Sequence, residues 1–175
     1  MRRILVTGGL GYVGSVLVPH LAKRWPVRVY DSMLLGNSIA PTPNVEFIKG
    51  DMQDAGALAM ALVDCTDVIH LAGIVTDELV DMNPAYAKKV NEEGTKSLCA
   101  LAQRRGVRRL IYASSSSVYG TQDIICTEES PLTPMTAYAE TKLAAERICL
   151  SYASPTMMVV AAIRSAPGMA SPGSA

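Results

Sequence analysis

The chain has 175 residues, 49% apolar and 18% charged, and its 16 basic and 16 acidic side chains cancel. That length supports one domain with a substantial core, and the composition is globular rather than disordered. The zero net charge argues against nucleic acid as a partner, and no apolar run is long enough to span a membrane.

The chain opens on Met1-Arg2-Arg3 and a short apolar run that breaks at Gly8-Gly9, too short for a signal-peptide core. Residues 3–7 read as a buried strand and 11–24 as a helix, although Pro19 inside it should cost a hydrogen bond or cause a kink. A second strand is expected over 27–30, a loop rich in Pro, Asn and Gly over 33–44, a third strand over 45–48 and a helix over 54–63. A fourth strand follows at 67–71. The next helix is long, 84–105, with Asn83 as its N-cap and Gly106 as its stop. A fifth strand at 109–113, a helix at 136–152 and a sixth strand at 157–163 complete the pattern, and 165–175 is a tail of Ser, Ala, Pro and Gly with one Met. The chain therefore divides into one domain, 1–164, and an irregular tail, 165–175. Alternation of this kind predicts an α/β fold: a doubly wound parallel sheet of order 3-2-1-4-5-6 with helices on both faces.

Cys65, Cys99, Cys126 and Cys149 form no CxxC pair. They read as reduced thiols of a cytoplasmic protein, neither a disulfide framework nor a metal site. Arg104, Arg105, Arg108 and Arg109 read as a solvated helix end. His20 and His70 read as structural.

Gly8, Gly11 and Gly14, spaced within Gly8-Gly9-Leu10-Gly11-Tyr12-Val13-Gly14, join the first strand to the first helix. Gly8 permits a tight turn, Gly11 lets the backbone approach a pyrophosphate, and Gly14 lets the helix pack close. The helix N-terminus adds free N–H groups for the phosphates. Asp31 ends the second strand, 20 residues after Gly11, where an acid accepts hydrogen bonds from an adenosine ribose and repels a 2′-phosphate. NAD is therefore favoured over NADP; Arg28, inside the strand, is a poor phosphate partner. Asp51, followed by Met52, either bonds the adenine or caps the next helix. Leu71-Ala72-Gly73 follow the fourth strand, where small residues let a cofactor lie against the backbone.

Tyr138 and Lys142 stand four apart on one helix face. A phenol titrating at about 10 is a poor base, and a nearby ammonium lowers that value, so Tyr138 can take a proton from a hydroxyl while hydride leaves its carbon for NAD. Lys142 is also suited to hold the nicotinamide ribose. One of Ser114, Ser115, Ser116 and Ser117, after the fifth strand, supplies a hydroxyl to the reacting oxygen; spacing alone does not choose among them.

With these motifs in this order, the sequence resembles the extended short-chain dehydrogenases/reductases, in the NAD-dependent epimerase/dehydratase branch that includes UDP-glucose 4-epimerase. The resemblance rests on the glycine turn, Asp31, Gly50-Asp51, His70-Leu71-Ala72-Gly73, Asn91 with Gly94-Thr95, Ser114 to Gly120, and Tyr138 with Lys142. It implies Tyr138 as catalytic base, Lys142 as its partner and Ser115 as the catalytic hydroxyl. It also implies NAD contacts at Gly8, Gly11, Tyr12, Val13, Gly14, Asp31, Asp51, Met52, Leu71, Ala72, Gly73, Asn91, Tyr138 and Lys142, and no metal.

The 4,6-dehydratases of this family carry an Asp-Glu pair where this chain has Ser116 and Ser117, which implies epimerisation, oxidation or reduction instead of dehydration. Members of the family continue past the sixth strand into a seventh strand and a sugar-nucleotide-binding region. The expectation is thus a UDP-sugar epimerase-type enzyme, impaired by truncation before its substrate domain. The alternatives are an NAD-binding module without sugar turnover and a compact carbonyl reductase. A homodimer through helices 84–105 and 136–152 is expected, with Leu143, Ala144, Ile148 and Leu150 as apolar surface.

Overall fold

Ile4, Leu5, Val6 and Thr7 are all essentially inaccessible to water, as a parallel strand covered on both faces requires. Leu5 faces one apolar cluster, with Tyr30, Leu58, Leu98 and Leu110. Ile4 and Val6 face the other, with Val18, Val27 and Val29. This period-two alternation places a core on each side of one sheet. The computed structural model describes residues 2–34, 36, 39–123, 125–154 and 158–165.

Six strands, β1 (Ile4–Thr7), β2 (Val27–Asp31), β3 (Val45–Lys49), β4 (Asp67–His70), β5 (Arg109–Ser115) and β6 (Val159–Ser165), pair in parallel in the order β3-β2-β1-β4-β5-β6. This is the expected doubly wound order. The helices are α1 (Tyr12–Ala22), α2 (Ala55–Ala61), α3 (Asp77–Met82), α4 (Pro84–Lys88), α5 (Thr95–Arg104) and α6 (Ala137–Ser151).

Several boundaries differ from expectation. The helix expected over 84–105 is not continuous: α4 passes into a π-helical segment, Lys89–Gly94, before α5 resumes. Asn83 does cap its start, accepting from the Tyr86 N–H at 3.0 Å, and Gly106 ends it at φ +72°. The sequence reading has no counterpart to α3, which Thr76 caps through the Leu79 N–H, or to the 3-10 turn Ser116–Tyr119. Helix α1 runs through Pro19 but ends at Ala22, two residues short of expectation. Strand β5 continues to Ser115, so Ser114 and Ser115 lie on the strand and not in a following loop. Strand β6 takes in Arg164 and Ser165; the expected start at Met157 and the tail over 166–175 lie outside the described residues.

Candidate functional site

Parallel strands end on one edge, and the loops that follow β1, β2, β4 and β5 gather there. Gly8 turns at φ +68°, and a Cβ on it would stand 2.5 Å from the Ala72 backbone nitrogen. The glycine turn and Leu71-Ala72 are therefore in backbone contact. A Cβ on Gly14 would meet the Gly9 carbonyl oxygen at 2.2 Å, so α1 rests directly on the turn. Side chains cap α2, α3, α4 and α6 through Asp54, Thr76, Asn83 and Thr136. At α1 the N-cap is Gly11, with no side-chain cap, which leaves backbone N–H groups and the positive end of the helix dipole for an anion. Tyr12 and Val13 sit in this first turn, mostly exposed.

Asp31 closes the turn from the side. Its carboxylate accepts from the Leu10 N–H at 3.0 Å and the Met33 N–H at 2.9 Å. Arg28 is occupied elsewhere: it pairs with Glu46 at 2.8 Å and donates to the carbonyls of Ala61 and Val63. Asp51 accepts from the Gln53 N–H at 2.9 Å, and its carbonyl accepts the Tyr30 hydroxyl at 2.7 Å. The cap of α2 is Asp54, not Asp51. Met52 is buried, packed under Gly94 of the π-helical segment.

Asn91 lies in that segment, buried. Its Oδ1 accepts from the Ile74 N–H at 2.7 Å, and its Nδ2 donates to the Ile74 carbonyl and to Thr141 Oγ1, each at 3.0 Å. Gly73 leaves the space for it: a Cβ there would stand 3.0 Å from Asn91 Oδ1. The side chain thus clips the loop after β4 to α6.

Tyr138, half-buried, is in the first turn of α6, whose N-cap Thr136 accepts from the Ala139 N–H. Lys142, one turn on, is buried. Its Nζ donates to the Ala113 carbonyl at 2.5 Å and stands 4.4 Å over the Tyr112 ring. Burial lowers its ammonium to about 8. Ser115 ends β5, and its Oγ accepts both the Ser117 N–H at 3.2 Å and the Ser117 hydroxyl at 2.8 Å. A serine hydroxyl has two acceptor positions and one proton, so Ser115 keeps its proton to donate. Ser117, at a position the dehydratase pattern gives to an acid, thereby acts on Ser115.

The sequence reading missed a buried brace below these groups. Glu146, four residues after Lys142, accepts from Ser114 Oγ at 2.6 Å and from Arg164. Arg164 also donates to the Tyr119 hydroxyl at 2.9 Å. Burial alone would raise the Glu146 carboxyl, but hydrogen bonds from Arg164 and Ser114 outweigh it and hold it below the ordinary range. The four-residue spacing from Lys142 to Glu146 was the available signal. Leu143 is buried against Val118 and Tyr119, which removes it from the apolar surface expected for dimerisation. Ile148 remains partly exposed and Leu150 exposed. Cys99 and Cys149, distant in sequence, are buried side by side with sulfurs 3.7 Å apart. Among the described residues no cluster of three His, Cys, Asp or Glu side chains could hold a metal ion, and no helix is long and apolar enough to cross a membrane.

The fold and this edge define a Rossmann-type dinucleotide-binding domain. The chain belongs to the NAD dependent epimerase/dehydratase family, whose profile matches residues 4–167. A UDP-glucose 4-epimerase from Oryza sativa subsp. japonica is 33% identical over 163 residues, covering 85% of this chain and 40% of its own. A 3 beta-hydroxysteroid dehydrogenase/Delta 5-->4-isomerase from Mycobacterium tuberculosis is 38% identical over 179 residues, covering 94% and 46%. Among solved structures, MoeE5 in complex with UDP-glucuronic acid and NAD superposes with a TM-score of 0.83 at 32% identity, over 93% of this chain and 54% of that one. A double mutant of DesIV, a dTDP-glucose 4,6-dehydratase from Streptomyces venezuelae, with NAD bound, gives 0.85 at 31% identity, over 94% and 55%. The chain spans about half the length of the relatives it matches.

Proposed function

We propose that this chain binds NAD at the glycine turn and serves a nucleotide-sugar epimerase that works by transient oxidation of a sugar hydroxyl. The observation that carries the reading is the shared edge. The uncapped start of α1, the Asp31 carboxylate on the turn and the proton-donating Ser115 all lie where the parallel strands end. The residues fit a dinucleotide: Gly8 and Gly14 clear the backbone for it, and the α1 N–H groups receive its pyrophosphate. Asp31 takes the adenosine ribose, and Tyr12, Val13, Asp51, Met52, Leu71, Ala72, Gly73 and Asn91 line the remaining contacts.

Bound NAD supplies an acceptor for the hydride of a secondary alcohol carbon. Tyr138 takes the hydroxyl proton and later returns it. Ser115 donates its free proton to the same oxygen, holding it while its carbon changes geometry. Lys142 holds the nicotinamide ribose and keeps positive charge beside Tyr138. Ser116 and Ser117 supply no carboxyl pair for eliminating water, which favours epimerisation over dehydration. UDP-sugars are the favoured substrates, because UDP-glucose epimerases recur among the relatives and MoeE5 binds a UDP-sugar.

The steroid dehydrogenase at 38% identity supports a second reading, oxidation of a steroid-like secondary alcohol, which uses the same three side chains. A homodimer over α5 and α6, with Ile148 and Leu150 in the seam, and a cytoplasmic location complete the proposal. Calorimetry with NAD and NADP tests the cofactor, and NADP preference would overturn the Asp31 assignment. Incubation with NAD and a panel of UDP-, GDP- and dTDP-sugars and hydroxysteroids tests the substrate. Any turnover found should vanish in Tyr138→Phe; turnover that survives would remove Tyr138 from its role.

A further inference from the structure

Thr7 at the end of β1, His70 at the end of β4 and Thr95 at the start of α5 form a buried line. Thr7 Oγ1 is 2.6 Å from His70 Nδ1, and His70 Nε2 is 2.8 Å from Thr95 Oγ1. Thr95 donates its hydroxyl proton to the Asn91 backbone carbonyl at 2.5 Å. Thr7, His70, Thr95 and Asn91 are each at most 3% exposed.

The far end of this line fixes the direction of every bond. Thr95 has one proton and gives it to Asn91, so toward His70 it can only accept. His70 therefore carries its proton on Nε2, and its bare Nδ1 accepts the hydroxyl proton of Thr7. A charged ring would need an acceptor at both nitrogens; burial and the Lys142 charge oppose that form and push His70 down to about 3. The line continues at both ends. Thr7 leads directly into Gly8 and the phosphate side of the turn. Asn91 passes on through its side chain to Ile74 and to Thr141, the residue before Lys142.

We propose that His70 is a positioning residue which, as the neutral Nε2–H tautomer, ties the glycine turn to Asn91 and the Lys142 helix, so that NAD affinity depends on a relay buried behind the cofactor site. The affinity half rests on the NAD reading above; the tautomer half does not. His70 is thereby more than a satisfied core histidine. Its ring accepts from Thr7 on one face and donates to Thr95 on the other, so it joins the β1 turn to the start of α5.

The tautomer is read by nitrogen NMR of the full chain labelled at its two histidines, with His20→Asn to assign the signals. The expected result is a protonated Nε2 and a bare Nδ1 at His70, unchanged from about pH 5 to pH 9. A protonated Nδ1, or an imidazolium in that range, overturns the proposal. The relay is read by NAD titration of Thr95→Val and Thr95→Ser. Valine keeps the shape and loses the hydroxyl, while serine keeps the hydroxyl and loses a methyl. The relay predicts NAD binding about ten-fold weaker in Thr95→Val, the order of one hydrogen bond, and near wild type in Thr95→Ser. A role in packing alone predicts the reverse order, and that result overturns the proposal. If the wild-type chain binds no NAD, the cofactor reading fails and takes the affinity half with it; the nitrogen spectrum then decides the tautomer by itself.

Discussion

Replacing Lys142 with methionine should leave the stability of the fold near neutral pH little changed while weakening the site. Methionine fills similar space without a charge, and the ammonium it removes is buried with its proton held at about 8, against an ordinary 10.5. That gap corresponds to about 3 kcal/mol against the charged form in the folded state. Opposing it are the lost hydrogen bond to the Ala113 carbonyl and the lost contact with the Tyr112 ring, together about 3–4 kcal/mol for a buried charge. The two are of similar size at pH 7. The pH dependence of the burial effect separates it from the rest. The folded value lies below the unfolded one, so the penalty is full below about pH 8 and fades as pH rises toward 10.5. The stability of Lys142→Met relative to wild type should thus fall by about 2 kcal/mol between pH 7 and pH 9.5. Urea unfolding of both proteins at the two pH values measures it, since titrating groups that do not face Lys142 cancel in the comparison. A difference that stays flat across that range would refute the reasoning, whatever its size at pH 7.

Two further substitutions probe the frame. Gly8→Ala forces a Cβ into a left-handed residue, costing about 1–2 kcal/mol, and against the Ala72 backbone nitrogen 2.5 Å away. Urea unfolding should show a loss greater than that strain alone; a loss under about 1 kcal/mol would mean that the β1 and β4 turns separate freely. The Glu146 carboxyl is held low in the fold, so the stability it contributes is present above the ordinary glutamate range and is lost as pH falls through its lower folded value. Glu146→Gln should therefore be less stable than wild type at pH 7, with the gap narrowing in acid, as followed by thermal unfolding.

The strand order was legible because the pattern of short apolar runs and intervening helices leaves few alternatives for a parallel sheet. Gly8, Gly14 and Asp31 were legible because each is required by backbone contact or by a strand end. Asn91 came only from resemblance, since a lone asparagine in a helical stretch carries no local signal. Its segment was misread as regular helix because a π-helix has the same composition as an α-helix and differs only in which carbonyl each N–H reaches. The Glu146–Arg164 brace joins residues 18 apart across α6 and β6, and such pairing depends on tertiary packing. The His70 relay was invisible for the same reason: its four members come from β1, β4, the π-helical segment and α5.

The π-helical segment Lys89–Gly94 also has a consequence for how this helix tolerates change in length. A π-turn is an α-helix carrying one surplus residue, and each residue of an α-helix turns the chain by about 100°. Deleting one residue there would restore regular bonding, so the helix itself would not resist the loss. The widened turn already absorbs that residue, so α4 and α5 would keep their facing; the shift would fall on the residues inside the segment, Asn91 among them, and part it from Ile74 and Thr141. At this point in the chain the number of residues is under as much constraint as their identity.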